Sequence, residues 1–296
     1  MLTLNTVYFA AQCTISESSF ASRSFFQARG LNVAAMTLRI AYAGDRDIGV
    51  RVLDHLLERG VHPLALLVSE ASRATHAEDL TRRCTTLNRQ TILHGVHFRT
   101  PEGISFLQTL DLDVLVCVHF PYLVPSEVLR IPRLGVLNLH PAYLPYNRGW
   151  HTPSWALLEG TPIGATLHFM DEGIDTGDIV FQKQLQPSPG DTANSLYQKL
   201  KTLELEVFKE GWALIEENHY ERLIQDKNQG TTHKRRELLT PEVQRIDLNT
   251  PVPPIDLFRR LRALTTNNTS EAAYYEVAGK RYRIQVNITE DSSTEL

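Results

Sequence analysis

The chain has 296 residues, 42% of them hydrophobic and 22% charged, with a formal net charge of -4. That balance excludes a disordered chain or a long coiled coil, and it leaves no overall positive charge with which to wrap nucleic acid. No apolar run reaches the ~20 residues needed to cross a bilayer, and the three cysteines, Cys13, Cys84 and Cys117, have neither metal-ligand spacing nor an even count. No membrane anchor, no metal, no disulfide framework and a cytoplasmic location are therefore expected.

Residues 1–35 are rich in Ser and aromatic side chains but weakly periodic, and are read as a disordered extension or a gene-start artefact with Met36 as the true start. Strong patterning begins after Met36. Leu38–Asp47 reads as a buried strand running into a turn, IGVRVLDHLLERG as a helix before Gly60, and VHPLALLVSE as a second strand. Strand, helix, strand is the unit of a parallel sheet. The first turn offers Gly44 and Gly49, so the three-glycine dinucleotide fingerprint is absent. A polar helix candidate in HAEDLTRRCTTLNRQTILHG, its end left open, a short helix over ISFLQTL and a buried strand over Val114–Val118 come next. After the short helix SEVLR, VLNLH is a strand and GWHTPSWALLEG a helix from Pro153. GATLHFM and DIVFQKQLQ are strands joined by a loop too short for a crossover helix, which predicts an antiparallel pair beside the parallel sheet.

The longest predicted helix is NSLYQKLKTLELEVFKEGWALIEE, with Leu196, Leu200, Leu203, Val207 and Trp212 in one apolar stripe and Asp191 or Thr192 as cap. From Gln225 the sequence turns polar and proline-punctuated. Residues 225–244 read as a linker or surface excursion, and 245–296 as a small subdomain with the helix IDLFRRLRALTTN and a hairpin, YYEV and RYRIQVNI around AGK. The expected fold class is α/β, a mostly parallel sheet over 36–224 followed by that small helix-and-hairpin unit.

Chemistry-bearing residues concentrate in Leu134–Val180. Asn138 and His140 are two apart, so on a strand they point the same way, and the prolines of the HPxxLP turn set the course of the loop after His140. Asp171, Glu172, Asp175 and Asp178 share one short loop with Gly173 and Gly177. Crowded carboxylates make a proton acceptor near neutrality or simply a turn, and a divalent metal site is a further reading, although the ligand set is incomplete.

Taken together, N138-L-H140-P141, L144-P145, N147-R148-G149, D171-E-G and D175-T-G-D178 resemble the folate-dependent formyltransferases, over roughly Leu38 to Ile224. The resemblance implies a Rossmann-like sheet, 10-formyltetrahydrofolate as formyl donor, and Asn138, His140 and Asp175 as the catalytic set. It also implies that the donor lies against Asp171, Gly173 and Asp178. Formyl transfer to an amine passes through a tetrahedral species bearing an oxyanion; Asn138 and His140 are expected to stabilise it and Asp175 to take the amine proton, with His140 as the base the alternative.

Within that family the chain is most similar to sugar-nucleotide N-formyltransferases, in NRGWHTPSWALLEG, TLHFMDEGIDTGDIV, GTTHKRREL, FRRLRAL and GKRYRI. This implies a dTDP-linked amino-deoxysugar acceptor of the kind used in surface polysaccharides (lipopolysaccharide O-antigen), no nucleic-acid partner, and a homodimer. Trp150 and His151 are expected to shape the sugar pocket. Lys234, Arg235 and Arg236 either receive a diphosphate or form a solvated charged loop. A methionyl-tRNA formyltransferase-like enzyme and a noncatalytic ligand-binding protein of this fold are the alternative functions.

Overall fold

Five-residue runs with every position buried set the centre of the sheet. They are β1 (Ile40–Gly44), followed by the helix α1 (Arg46–Glu58), and, further on, the strand formed by VLVCV. A strand covered on both faces reads as an unbroken apolar run rather than an alternation. The computed structural model describes residues 38–226 and 228–291, so the reading of 1–35 lies outside the described residues.

The chain continues through β2 (Ala65–Val68), α2 (Ala77–Arg83), β3 (Ile92–His94), α3 (Pro101–Thr109) and β4 (Val114–Val118). Next come α4 (Ser126–Leu129), β5 (Gly135–His140), the two-residue β6 (Arg148–Gly149), α5 (Thr152–Glu159), β7 (Ile163–Phe169) and β8 (Ile179–Leu185). After α6 (Ala193–Glu216) lie β9 (Thr232–His233), α7 (Pro241–Gln244), α8 (Pro254–Ala263), β10 (Ala273–Val277) and β11 (Lys280–Ile284).

The main sheet has the order β3-β2-β1-β4-β5-β7-β8. From β3 to β5 the pairing is parallel, and β7 and β8 turn it antiparallel, as the short loop between them requires. The α/β, mostly parallel, Rossmann-like sheet expected from the sequence is what the chain adopts. One face packs Val114, Val116, Val118, Leu137, Leu139 and Leu167 with residues of α1 and α6, including Leu53, Val207, Phe208 and Trp212. The other face packs Ala41, Leu115, Cys117 and Val136 with Phe98 and Leu107. Fully burying a side chain such as Leu53 or Phe208 is worth about 1.5–3 kcal/mol, so these two layers dominate the stability of the sheet.

Helix starts follow the local chemistry. Thr192 caps α6 and exchanges hydrogen bonds with Ser195 in a capping box, and Thr100 caps α3 ahead of Pro101. Asp45 caps α1 and also accepts from Ser69, Thr75 and the His76 N–H, which fastens the 69–76 loop to the end of β1. α2 ends at Arg83, where the Cys84 N–H turns back to the Leu80 and Thr81 carbonyls, and Asn88 then accepts from the Gln90 and Thr91 N–H groups in a turn.

Residues 225–244 lie against the sheet's loops rather than running free: β9 pairs with β6, and Gln225, His233 and Leu238 are buried. Trp155 stacks on the His233 ring, centroids 3.9 Å apart. β10 and β11 form the expected antiparallel hairpin, packed with α8 around Leu261, Leu264 and Ala273.

Candidate active site

Asn138 and His140 stand at the C-terminal end of β5, on the face that Val136 begins. β7 runs back beside them, and its register sets His168 against Asn138 and Thr166 against His140. His168 is sealed in at 1% exposure; its Nδ1 donates to the Phe169 carbonyl at 2.9 Å, which leaves Nε2 to accept from Asn138 Nδ2 at 3.1 Å. The Asn138 amide also reaches Asp175 Oδ1 at 3.5 Å. The β5–β7 ladder thus aims the amide.

Asp175 enters from the loop between β7 and β8 in left-handed backbone, φ 53°, a conformation Asp tolerates better than most residues. Its Oδ2 accepts the Gly149 N–H at 2.8 Å and lies 3.5 Å from His140 Nε2. Gly149 itself has φ 90° and passes so close to the His233 carbonyl that a Cβ there would overlap it. Gln225 holds the Asp175 loop from behind, donating to the carbonyls of Asp175 and Gly177 at 2.9 and 2.7 Å. The Gln225 side-chain oxygen in turn accepts from Arg148 at 2.9 and 3.2 Å, and Arg148 is 5% exposed.

His140 Nε2 has the Asn147 carbonyl at 3.3 Å and the Asp175 carboxylate beyond it. Both are acceptors, so the ring proton belongs on Nε2 and Nδ1 carries the free lone pair. Burial pushes the imidazole below its ordinary value against the opposing pull of Asp175, so the neutral ring prevails at pH 7. For Asp175, burial alone acts upward, but His140, the His168 ring and the Gly149 N–H outweigh it and hold the carboxyl well below the usual carboxylate range. An amide donor, a neutral imidazole and an ionised carboxylate therefore meet at one strand end. Such a set can donate to a developing oxyanion and take a proton from a nucleophile.

Beside it is a cavity of about 480 Å³ lined by Arg148, Asp171, Glu172, Gly173 and Thr176. Asp171 Oδ1 accepts from the Gly173 N–H at 3.0 Å and from the Thr176 hydroxyl at 2.6 Å, which shapes its rim. Asp178 is not among the lining residues; its carbonyl accepts from the Phe169 N–H at 2.9 Å. Of the residues expected to hold an acceptor, Trp150, His151 and Arg235 come together. His151 Nε2 donates to the Arg235 carbonyl at 3.2 Å, and the Arg235 guanidinium lies 5.1 Å from the Trp150 ring centre. The Lys234 N–H donates to Glu237, while the Lys234 and Arg236 side chains are exposed.

Residues 36–211 match the family model described as formyl transferase. The chain belongs to the formyl transferase family. Residues 240–290 of this formyl transferase match a second model, the N-formyltransferase dimerization C-terminal domain. A curated relative, the methionyl-tRNA formyltransferase of Agathobacter rectalis, is 27% identical over 254 residues, 83% of this chain and 79% of the relative. The chain spans 79% and 63% of the length of the first two curated relatives it matches, and 58% and 57% of two others. Among solved structures, a sugar N-formyltransferase from a Shewanella species superimposes with a TM-score of 0.72 at 20% identity, covering 86% of this chain and 100% of that one. An N-formyltransferase from Helicobacter canadensis, in complex with folinic acid and dTDP-3-aminofucose, gives 0.59 at 20% identity, over 82% and 85%. At these identities the structural matches establish the fold.

Sequence reasoning assigned no role to His168, Gln225 or Arg148. The strand period put His168 on a face with Thr166 and Met170, but its partner is fixed by the β5–β7 register, which no local pattern encodes. Gln225 stands in a polar stretch where nothing sets it apart.

Proposed function

We propose that this formyl transferase moves the formyl group of 10-formyltetrahydrofolate onto the amino group of a dTDP-linked 3- or 4-amino-deoxysugar. The observation that carries the acceptor class is the match of residues 240–290 to the N-formyltransferase dimerization domain, where a tRNA-binding domain would need a basic surface. The Helicobacter canadensis complex, with a folate and a dTDP-amino sugar bound, supports both substrates. The open pocket lined by Arg148, Asp171, Glu172, Gly173 and Thr176 adjoins the Asp175 loop, which supports a donor site there.

In this reading Asn138 donates to the negative charge that develops on the formyl oxygen. His140 Nδ1 takes the proton of the attacking amine, and Asp175, 3.5 Å from Nε2, stabilises the imidazolium so formed. This is the His140 alternative that the sequence left open, and the Nε2 geometry favours it over direct proton transfer to Asp175. Trp150, His151 and Arg235 border the sugar and its diphosphate. The curated relatives named methionyl-tRNA formyltransferase favour a second reading, with that tRNA as acceptor.

The test is to incubate the protein with 10-formyltetrahydrofolate and a panel of dTDP-3-amino and dTDP-4-amino sugars and follow the mass gain of one formyl group. Formylation of methionyl-tRNA with every sugar left unmodified would overturn the sugar reading.

A further inference from the structure

β4 ends at Val118, and His119 follows in left-handed backbone, φ 50°. Its Nε2 lies 2.6 Å from Glu204 Oε1 on α6. Glu204 is completely buried, in the apolar stripe between Leu200 and Val207, and its Oε2 has no hydrogen-bond partner. A buried carboxylate with one oxygen unsatisfied costs more than the apolar residue that would pack this helix position. Packing therefore does not account for the pair.

Its place in the sheet does. β1 leads outward to β2 and β3, and β4 returns on the other side of β1. Open α/β sheets take their ligands at the C-terminal strand ends beside such a reversal. The Asp45 N–H donates to the Val118 carbonyl at 3.2 Å and closes one side of the crevice. On the other side the parallel register pairs Cys117 with Asn138 and Val118 with Leu139, so His119 and His140 each directly follow the last residue that their strand pairs in this ladder. The Glu204 charge also acts on the His140 ring.

The contact with Glu204 Oε1 engages Nε2 and fixes the ring, so Nδ1 is the nitrogen left for a ligand. Nδ1 makes no hydrogen bond to the described residues, and it is not among the polar atoms sealed from solvent without a partner. The side chain keeps 9% exposure. We infer that His119, oriented by Glu204, hydrogen-bonds a ring hydroxyl of the sugar acceptor, and so selects that acceptor and positions its amine beside Asn138 and His140. The inference rests on the amino-sugar reading above.

Steady-state kinetics with dTDP-4-amino-4,6-dideoxyglucose and its 3-amino isomer test it in His119→Ala, His119→Asn and Glu204→Gln. Loss of one oriented hydrogen bond predicts a sugar KM raised about tenfold in His119→Ala and Glu204→Gln, with the KM for 10-formyltetrahydrofolate within about twofold of wild type. His119→Asn, which keeps a polar end, should recover part of the difference. Sugar KM values unchanged in folded variants would overturn the inference, whatever the melting temperature does. Should His119→Ala fail to fold, imidazole 15N spectra of the wild type decide: the His119 Nδ1 resonance must move when the sugar is added without the formyl donor, and an unmoved resonance refutes the contact. A wild-type enzyme that formylates methionyl-tRNA and no sugar of the panel refutes the acceptor reading and this inference with it; sugar turnover with unmoved KM values refutes the inference alone.

Discussion

His140 is set up as a base by two acceptors on one side of its ring. The Asn147 carbonyl and the Asp175 carboxylate claim Nε2–H, and burial keeps the ring neutral at pH 7. Because the active form is the neutral one, kcat/KM should hold steady above pH 6.5 and fall as pH drops below it, with the midpoint under the ordinary histidine value of 6.5. The sign for stability is the same. Below pH 6.5 the unfolded chain, with its ordinary His140, takes up more protons than the folded one, so folding stability from this group is lost as pH falls. A pH–rate profile paired with denaturant melts across the same range checks both. An Asn138→Ala enzyme should lose about 3 kcal/mol of transition-state stabilisation, a rate loss of about two orders of magnitude, with the donor KM little changed; a near-normal rate would remove Asn138 from the oxyanion role. Asp175 was tied to Asn138 and His140 only by the family resemblance, whereas the shared face of Asn138 and His140 was legible from strand spacing, a local signal. His168 was not, since its meaning depends on a pairing across 30 residues.

Elements were legible where burial writes a plain pattern. The VLVCV run, the α6 stripe and the β10–β11 hairpin stand where the sequence puts them. The stretch from Gln225 was not, because its contacts are polar and long-range: Gln225 bridges the Asp175 loop and Arg148, and β9 holds β6. Gln225→Leu strips two carbonyls of their donor and a buried guanidinium of one of its two acceptors, leaving it the Gln229 carbonyl. A loss of about 2–3 kcal/mol in a urea melt is expected, together with lower kcat, as the Asp175 loop loosens. The hairpin turn gives the opposite opportunity. Ala278 and Gly279 occupy the two central positions with φ 50° and 73°, the mirror-image turn that asparagine–glycine favours. Ala278→Asn should raise stability by about 1 kcal/mol, seen as a higher melting temperature; no change would mean that the turn relaxes at no cost.

At the scale of the whole molecule, the region matching the dimerization domain carries apolar side chains without cover. Ile255 and Phe258 are 64% and 57% exposed on α8, and Val277 and Tyr282 are 48% and 45% exposed on the hairpin. We propose that these side chains meet a second copy of the chain. Phe258→Glu should then shift the protein from dimer to monomer in sedimentation velocity, and an unchanged dimer would place the interface elsewhere. The register of the sheet constrains how such a chain can vary. The β5–β7 ladder runs without interruption from Leu137 to His140, while the β7–β8 ladder slips between Leu167 and His168 and leaves Val180 as a surplus residue on the outermost strand. A one-residue gain or loss at the Val180 end of β8, beyond the Asp175 loop, can be absorbed by forming or resolving that slip, out at the margin. The same change inside β5 or β7 would turn Asn138 or His168 to the opposite face. Length variation among natural relatives should accordingly collect around β8 and spare the two strands that hold the amide and the imidazoles.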